Sequence, residues 1–375
     1  MNKKEKKLVP KLRFPEFRDA EEWKNKSLNK ILVSTDRKVK KPENPYTRLG
    51  IRSHGKGTFL VFNESPEKNA MDFLYEVKKN DLIVNITFAW EGAIAIASEN
   101  DEGSLVSHRF PTYVFNENEA IPSFFQYLIL DNFFVYKLGV ISPGGAGRNR
   151  VLSKTDFLNL KVNIPKRLEQ QKIADCLISI DDLINAHTQK LDALKSYKKG
   201  LMQQLFPAEG ETVHKLRFPE FRNDEEWEQE KLSKLISTVT PPKKLLTANY
   251  LSEGKFPILD QSQNSISGWT NDRDAVITKN LPLIIFGDHT CVLKIVYEPF
   301  AQGADGIKIL HPNDLIDARY LYQYLTFNPV STEEYKRHFS ALKEKMVYFP
   351  KKDSGEQQKI ADCLSCVDDL INAQS

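Results

Sequence analysis

EQQKIADCLISIDDLINA at residues 169–186 returns almost unchanged as EQQKIADCLSCVDDLINA at 356–373. From Glu169 onward apolar residues fall at Ile173, Leu177, Ile180, Ile184, Leu191 and Leu194, in alternating steps of four and three, with His187 filling one gap. Leu201 and Leu205 continue the face after a small slip near Tyr197, and Pro207 stops it. A 3.5-residue apolar repeat of this length predicts one helix over 169–206 that packs in a coiled coil. At 1.5 Å per residue it is roughly 57 Å long. The second copy repeats the face with Ile360, Leu364, Val367 and Ile371, then stops at Ser375. The first copy runs 20 residues further, His187 to Phe206, so the repeat predicts a longer second helix than is present. An antiparallel pairing then leaves part of the long helix's stripe uncovered, weakly held or taken by another subunit.

A second repeat sits upstream of each helix. KLRFPEFRDAEEW at 11–23 returns as KLRFPEFRNDEEW at 215–227. Between the near-copies lie two segments, 24–168 and 228–355, that do not resemble each other in sequence. Matched framework around unmatched inserts predicts two equivalent scaffolds that present two different readers. The expected divisions are 1–168, 169–210, 211–355 and 356–375.

Both inserts read as compact α+β domains. LIVNITFAWEGAIAIA (82–97) and LPLIIFGDHTCVLKIVY (281–297) each predict two short buried strands, with turns at Glu91-Gly92 and Gly287-Asp288. Each insert has one helical stretch late on, at 121–130 and 318–327. Frequent prolines favour short strands and loops elsewhere.

Composition is ordinary for a globular protein: 41% hydrophobic, 27% charged, net charge +3. Basicity overall does not announce nucleic acid, although residues 1–41 hold 14 Lys and Arg against 6 Asp and Glu. No apolar run approaches the ~18–20 residues that span a bilayer. The start lacks the run of a signal peptide, which predicts a cytoplasmic protein with no membrane partner. Four cysteines make no disulfide framework.

Catalytic signatures are weak. GIRSHGKGT (50–58) nearly matches a phosphate-binding loop, but Gly57 stands where a hydroxyl is needed, so a surface turn is the better reading. Asp19, Glu22 and Lys24 resemble a nuclease set, yet the internal copy puts Glu228 opposite Lys24. Cys363 and Cys366 form one CxxC without a second pair for zinc, and Cys176 occupies the place of Cys363, so all three read as packing residues. The histidines form no metal-ligand pairs, and no dinucleotide or methyl-donor fingerprint is visible. The chain reads as a binder without catalytic, cofactor or metal residues.

Candidate DNA contacts are softer. SPGGAGRNRVLSKTDF (142–157) joins glycines to Arg148, Asn149, Arg150 and Lys154. Arginine is the best bidentate partner for guanine, and asparagine suits adenine. The matching place in the second insert, 336–349, offers Arg337, Lys343 and Lys345. Residues 36–57 are densely basic, with Arg37, Lys38, Lys40, Arg48 and Arg52; 260–269 supplies Gln261, Gln263 and Asn264, and the Gly-Asp turn is followed by His289.

The doubled EQQKIADCL…DDLINA helix, each copy preceded by a variable insert ending in a proline-bearing strand (LKVNIPKRLEQQ; MVYFPKKDSGEQQ), resembles the specificity subunit of type I restriction–modification systems. The resemblance covers essentially the whole chain. LRFPEF, IIFGDHT, EPFAQGADGIKIL and SPGGAGRNRVLS add to it. It implies two α/β target recognition domains in tandem, separated by long helices that form an antiparallel coiled coil. Each domain would read one half of a split site in double-stranded DNA, and the helices would act as a spacer. A helix of roughly 57 Å can separate readers by more than one ~34 Å turn of DNA. The resemblance further implies a non-enzyme that holds two methyltransferase subunits and is joined by restriction subunits. S-adenosylmethionine, ATP and magnesium would serve those partners and not this chain. The competing readings are a stand-alone sequence-specific DNA-binding protein, a nuclease or methyltransferase acting alone, and a purely structural coiled coil. The last leaves unexplained why the inserts differ while the helices match.

Overall fold

The computed structural model describes residues 9–142, 144, 150–207, 214–303, 306–330 and 337–374. The chain forms two compact units, Met1–Leu183 and Ile184–Ser375. Among the described residues no helix is long and apolar enough to cross a membrane.

Unit 1 begins with an antiparallel ribbon, Lys24–Ser27 against Lys161–Ile164. A four-stranded sheet follows in the order Leu32–Ser34, Thr112–Phe115, Leu82–Val84, Ile94–Ile96. Unit 2 repeats both pieces. Its ribbon pairs Glu228–Lys231 with Met346–Phe349, and its sheet runs Ile236–Val239, Ile307–Pro312, Leu283–Gly287, Leu293–Val296. The inserts that share no sequence thus share a sheet, strand for strand. Leu283–Gly287 is buried along its whole length, which is why it reads as a continuous apolar run and not an alternating one. The units differ in their second sheet. Unit 1 has five strands, ordered Lys38–Lys40, Phe73–Glu76, Leu105–Val106, Tyr46–Ile51, Thr58–Glu64. Unit 2 has four, ordered Gly268–Thr270, Phe256–Leu259, Phe300–Gln302, Val276–Ile277.

The strand pair expected in each insert is present, as are helices Pro122–Leu128 and Ala318–Phe327. The expectation of one helix per insert is too few. Asn132–Val140 follows in unit 1, capped by Asp131, whose carboxylate accepts from Phe133 and Phe134 N–H. Short helices Lys154–Asn159 and Phe339–Glu344 precede the closing strands.

The repeated helix is a single element, Arg167–Leu205, against the expected 169–206. The second copy is Glu356–Asn372. In unit 2 the two helices run antiparallel: Lys198 Nζ meets both oxygens of Asp368 at 2.7 and 2.8 Å, while the earlier His187 lies 3.1 Å from the later Gln374. Ile360, Leu364 and Val367 are buried there, and Leu191 and Leu194 half-buried. The stripe is not covered throughout. Ile180 and Ile184 are exposed, and Leu177, Ile173 and Ile371 half-buried. Cys366 is exposed too, so it is not the packing residue that its helical position implied.

The repeated motifs lock each helix start to its unit. Arg13 forms a bidentate pair with Glu169 (2.7 and 2.7 Å) and donates to Ala20 O and Glu21 O. Arg217 does the same with Glu356 (2.9 and 2.7 Å), Asp224 O and Glu225 O. Both carboxylates are buried, and each holds the RFP segment against the helix. The next residue is a second lock. Gln170 Nε2 donates to Pro165 O and Glu119 O (both 2.9 Å), and its Oε1 accepts from Ile121 N–H (3.2 Å). Gln357 makes the same three bonds to Pro350 O (2.7 Å), Leu315 O (2.9 Å) and Asp317 N–H (2.7 Å).

Candidate nucleic-acid interface

The shared sheet brings connecting segments together at the end where Leu82–Val84 and Leu283–Gly287 finish. In unit 1 the turn after Leu82–Val84 contains a short 3-10 helix, Ala89–Glu91, closed by Gly92 in the left-handed region. Residues 52–57 reach across to it: His54 N–H donates to Glu91 O (2.7 Å), Gly55 N–H to Gly92 O (3.1 Å), and Ser53 Oγ to Glu91 Oε2 (2.8 Å). Ile86 N–H donates to Arg109 O (3.0 Å), and Leu152 N–H to Ile86 O (2.9 Å). Four segments, 52–57, 85–92, 107–110 and 150–153, are therefore pinned together. The Arg150 guanidinium lies 5.2 Å from the Trp90 ring and the Arg52 guanidinium 5.0 Å from the Phe59 ring, so aromatic faces hold both cations. Phe59 in turn covers Gly50, where a Cβ would stand 2.3 Å from the ring.

Unit 2 pins the matching segments with other residues. Asp288 N–H donates to Gly306 O (2.7 Å), its carbonyl accepts from His338 N–H (2.8 Å), and its carboxylate accepts from Phe339 N–H (2.8 Å). Thr290 Oγ1 donates to Gln261 O (2.8 Å), which ties the turn to residues 260–267. Lys294 Nζ donates to Asp260 O (2.9 Å) and Asn264 O (2.6 Å), and burial holds its pKa below the ordinary lysine value. The Gln261 amide packs against Gly306, whose φ of +102° strains any L side chain and where a Cβ would stand 2.7 Å from the amide nitrogen. Among the described residues Gln261 Oε1 is buried without a hydrogen-bond partner. Asp288 alone makes three bonds to two other segments, at Gly306 and at 338–339. Asp288→Ala is expected to remove the bond to Phe339 N–H and, at about 1–2 kcal/mol for a buried cap-like contact, to lower amide-exchange protection in 337–344 while strand Leu283–Gly287 stays protected. Unchanged protection there would show the anchor to be dispensable.

The sequence-predicted residues divide into groups. Arg52, Arg150, Gln261, Gln263, Asn264 and His289 lie on the converging segments, and Lys154, Arg337 and Lys343 on or beside the short helices next to them. Lys343 Nζ stands 5.5 Å from the Phe339 ring. Arg148 and Asn149 lie outside the described residues. Lys345 caps the end of its helix and accepts from Leu232 N–H through its carbonyl (2.8 Å). The remaining basic residues of 36–48 lie in or beside strands of the second sheet. Arg37 is bidentate to the buried Asp81 (2.5 and 3.1 Å), Arg48 pairs with Glu64 (3.6 Å), and Lys38 covers the Phe73 ring (4.0 Å). Lys40 is exposed near Glu43. Removing Arg37 would strand the buried Asp81 carboxylate. Trp90, His54, Asp288, Thr290 and Lys308 were not singled out from sequence; Lys308 Nζ lies 5.5 Å from the same Phe339 ring as Lys343. The turn or loop positions of the first four gave a signal, but not the pairing between those segments, and Lys308 lies within strand Ile307–Pro312. Among the described residues no cluster of three or more His, Cys, Asp or Glu could hold a metal ion.

The sequence profile described as "Type I restriction modification DNA specificity domain" matches residues 20–196. A protein of Methanocaldococcus jannaschii named for the specificity subunit of the type I restriction enzyme MjaX is 26% identical over 285 residues. That alignment takes in 68% of this chain and 63% of the relative's length. The HindI specificity subunit of Haemophilus influenzae is 25% identical over 130 residues, 35% of this chain and 28% of that one. The crystal structure of the type I restriction–modification S subunit from M. genitalium superposes with a TM-score of 0.62 at 14% identity, covering 94% of this chain and 91% of that one. At that identity the likeness is one of fold.

Proposed function

We propose that this chain, which belongs to the type I restriction–modification specificity family, reads the two halves of a bipartite site in double-stranded DNA, one half with each unit. The supporting observation is that both units build one sheet and pin matching segments at the same end of it, yet line that end with different side chains. Unit 1 presents Arg52 over Phe59, His54, and Arg150 over Trp90; unit 2 presents Gln261, Gln263, Asn264 and His289, with Lys308 and Lys343 over Phe339. Arginine on an aromatic face is preset for guanine, and side-chain amides match adenine. Lysines and backbone N–H groups around them would supply phosphate contacts, which set affinity and not sequence. On this reading residues 1–168 and 211–355 are the recognition domains, and 169–210 and 356–375 the framework. The chain performs no chemistry. Two methyltransferase subunits would carry S-adenosylmethionine, and restriction subunits would use ATP and magnesium.

The test is methylome sequencing of cells that express the chain with its methyltransferase partner. A split motif with N6-methyladenine in both halves is expected; an assembled complex that leaves no new methylation would refute the reading. Arg148→Ala with Arg150→Ala should relax the half read by unit 1 alone, since a bidentate base contact is worth about 1–3 kcal/mol. An unchanged motif would remove residues 142–157 from the interface.

A further inference from the structure

In the hairpin between Leu281 and Tyr297 the acidic and basic side chains are Asp288 and Lys294, apart from His289. Both reach backbone groups of neighbouring segments. Asp288 holds Phe339 N–H, and Lys294, opposite Ile285 in the strand pair, holds the loop of residues 260–267. The base of that loop closes on itself. Asp260 Oδ1 accepts from Ser262 N–H (2.9 Å) and Ser267 Oγ (2.5 Å), and Ser267 N–H donates to Ile258 O (2.9 Å). The rest is held by the hairpin: Lys294 Nζ joins Asp260 O to Asn264 O, and Thr290 Oγ1 donates to Gln261 O. With these three carbonyls engaged, Gln263 and Asn264 stand exposed. Lys294 itself is half-buried, its ammonium engaged by the loop. Unit 1 holds its matching segment by other means. Residues 52–57 hang from the backbone N–H groups of His54 and Gly55, with Ser53 Oγ on Glu91 as the side-chain tie.

We propose that Lys294 is a positioning residue for sequence selectivity in unit 2: by fixing the carbonyls of Asp260 and Asn264 it sets how Gln263 and Asn264 meet base edges. The inference rests on unit 2 being a half-site reader. A side-chain amide carries both donors and an acceptor, and it selects adenine only while its backbone is held. A loop free to turn lets the same amide satisfy other bases, because the fixed geometry that refuses them is gone. Lys294 therefore governs which sequences are accepted, whereas phosphate contacts set overall affinity. In unit 1 the backbone bonds of His54 and Gly55 take that part, so the two halves of the site depend on unlike anchors.

The full chain is expressed with its methyltransferase partner, and the methylome of Lys294→Met is compared with that of the wild type. Methionine keeps the side chain's reach and removes its donors. Methylation of sites with one mismatch in one half, relative to cognate sites, is expected to rise about tenfold, as for one lost bond from a charged donor. Mismatches in the other half should be refused as before. Thr290→Val, at an exposed position, removes only the bond to Gln261 O and should relax the same half about two- to fivefold. Lys294→Arg restores a charged donor and should recover part of the selectivity. A lysine that merely stabilises unit 2 would, when removed, lower methylation at cognate and mismatched sites alike, and an unmoved ratio overturns the proposal. Should Lys294→Met abolish methylation altogether, the ratio is read from Thr290→Val and Lys294→Arg, and no shift in either overturns it. A wild-type motif that is not split refutes the reading and this inference together. A split wild-type motif that Lys294→Met leaves sharp in both halves overturns this inference alone.

Discussion

Gln357→Ala is expected to destabilise unit 2 by about 3 kcal/mol or more, and Gln170→Ala to do the same to unit 1. Each glutamine is buried (1% and 0% exposed) and its truncation strands two carbonyls and one N–H at once. An unsatisfied buried group costs about 1–3 kcal/mol, against about 5–15 kcal/mol for a whole domain. The three groups belong to two segments: the residue after the closing strand, and the stretch leading into the insert's helix, which gives a carbonyl and the N–H of the helix's N-cap residue. The side chain therefore joins the repeated helix to the insert. A glutamate there retains the acceptor but not the two donated bonds, so Gln357→Glu should recover only part of the loss. Denaturant unfolding of the full chain, followed by amide exchange to assign the transition to a unit, measures this. A loss under about 1 kcal/mol for either glutamine would mean that the freed carbonyls find water or new donors.

That role was not legible in the sequence, although the motif was. EQQ recurs, so the sequence marks it, but its partners are backbone groups of Pro165, Glu119 and Ile121, which have no signature. Helix Arg167–Leu205 was readable within two residues at each end because its stripe, proline stops and length are local. The strands of residues 82–97 and 281–297 were readable for the same reason. The shared order of the two main sheets was not: it depends on pairings such as Tyr113 with Ser34 and Ile284 with Leu310, and alternation says only that a strand has two faces. The candidate interface was half visible. Arg150 and Gln261 stand out by residue type, whereas Asp288 reads as an ordinary turn residue until its three anchors are seen. Arg37 is the converse case, a basic residue in a basic stretch whose buried carboxylate partner the sequence does not mark.

The strongest contrast that sequence identity hides lies between Leu364 and Leu177. Both follow EQQKIADC in register, and a sequence-based expectation gives the same substitution the same effect at either position. Leu364 is 0% exposed among Met202, Leu205 and Phe206, whereas Leu177 is half-buried on an open groove that Leu12 and Trp23 also line. Leu364→Asp loses a full leucine burial, about 1.5–3 kcal/mol, and adds the cost of desolvating a carboxylate with no partner in place. A total on the order of 4–5 kcal/mol or more follows, enough to unfold unit 2 at ambient temperature. Leu177→Asp faces water on one side, and about 1 kcal/mol is expected in unit 1. Leu364→Ala separates the two contributions: it keeps the cavity and burial loss, about 2–5 kcal/mol, without the charge. Calorimetry on the full chain should then show one unit's transition collapse and the other's barely move. Equal losses would mean that the groove beside Leu177 is closed in solution, because a carboxylate is costly only where water cannot reach it.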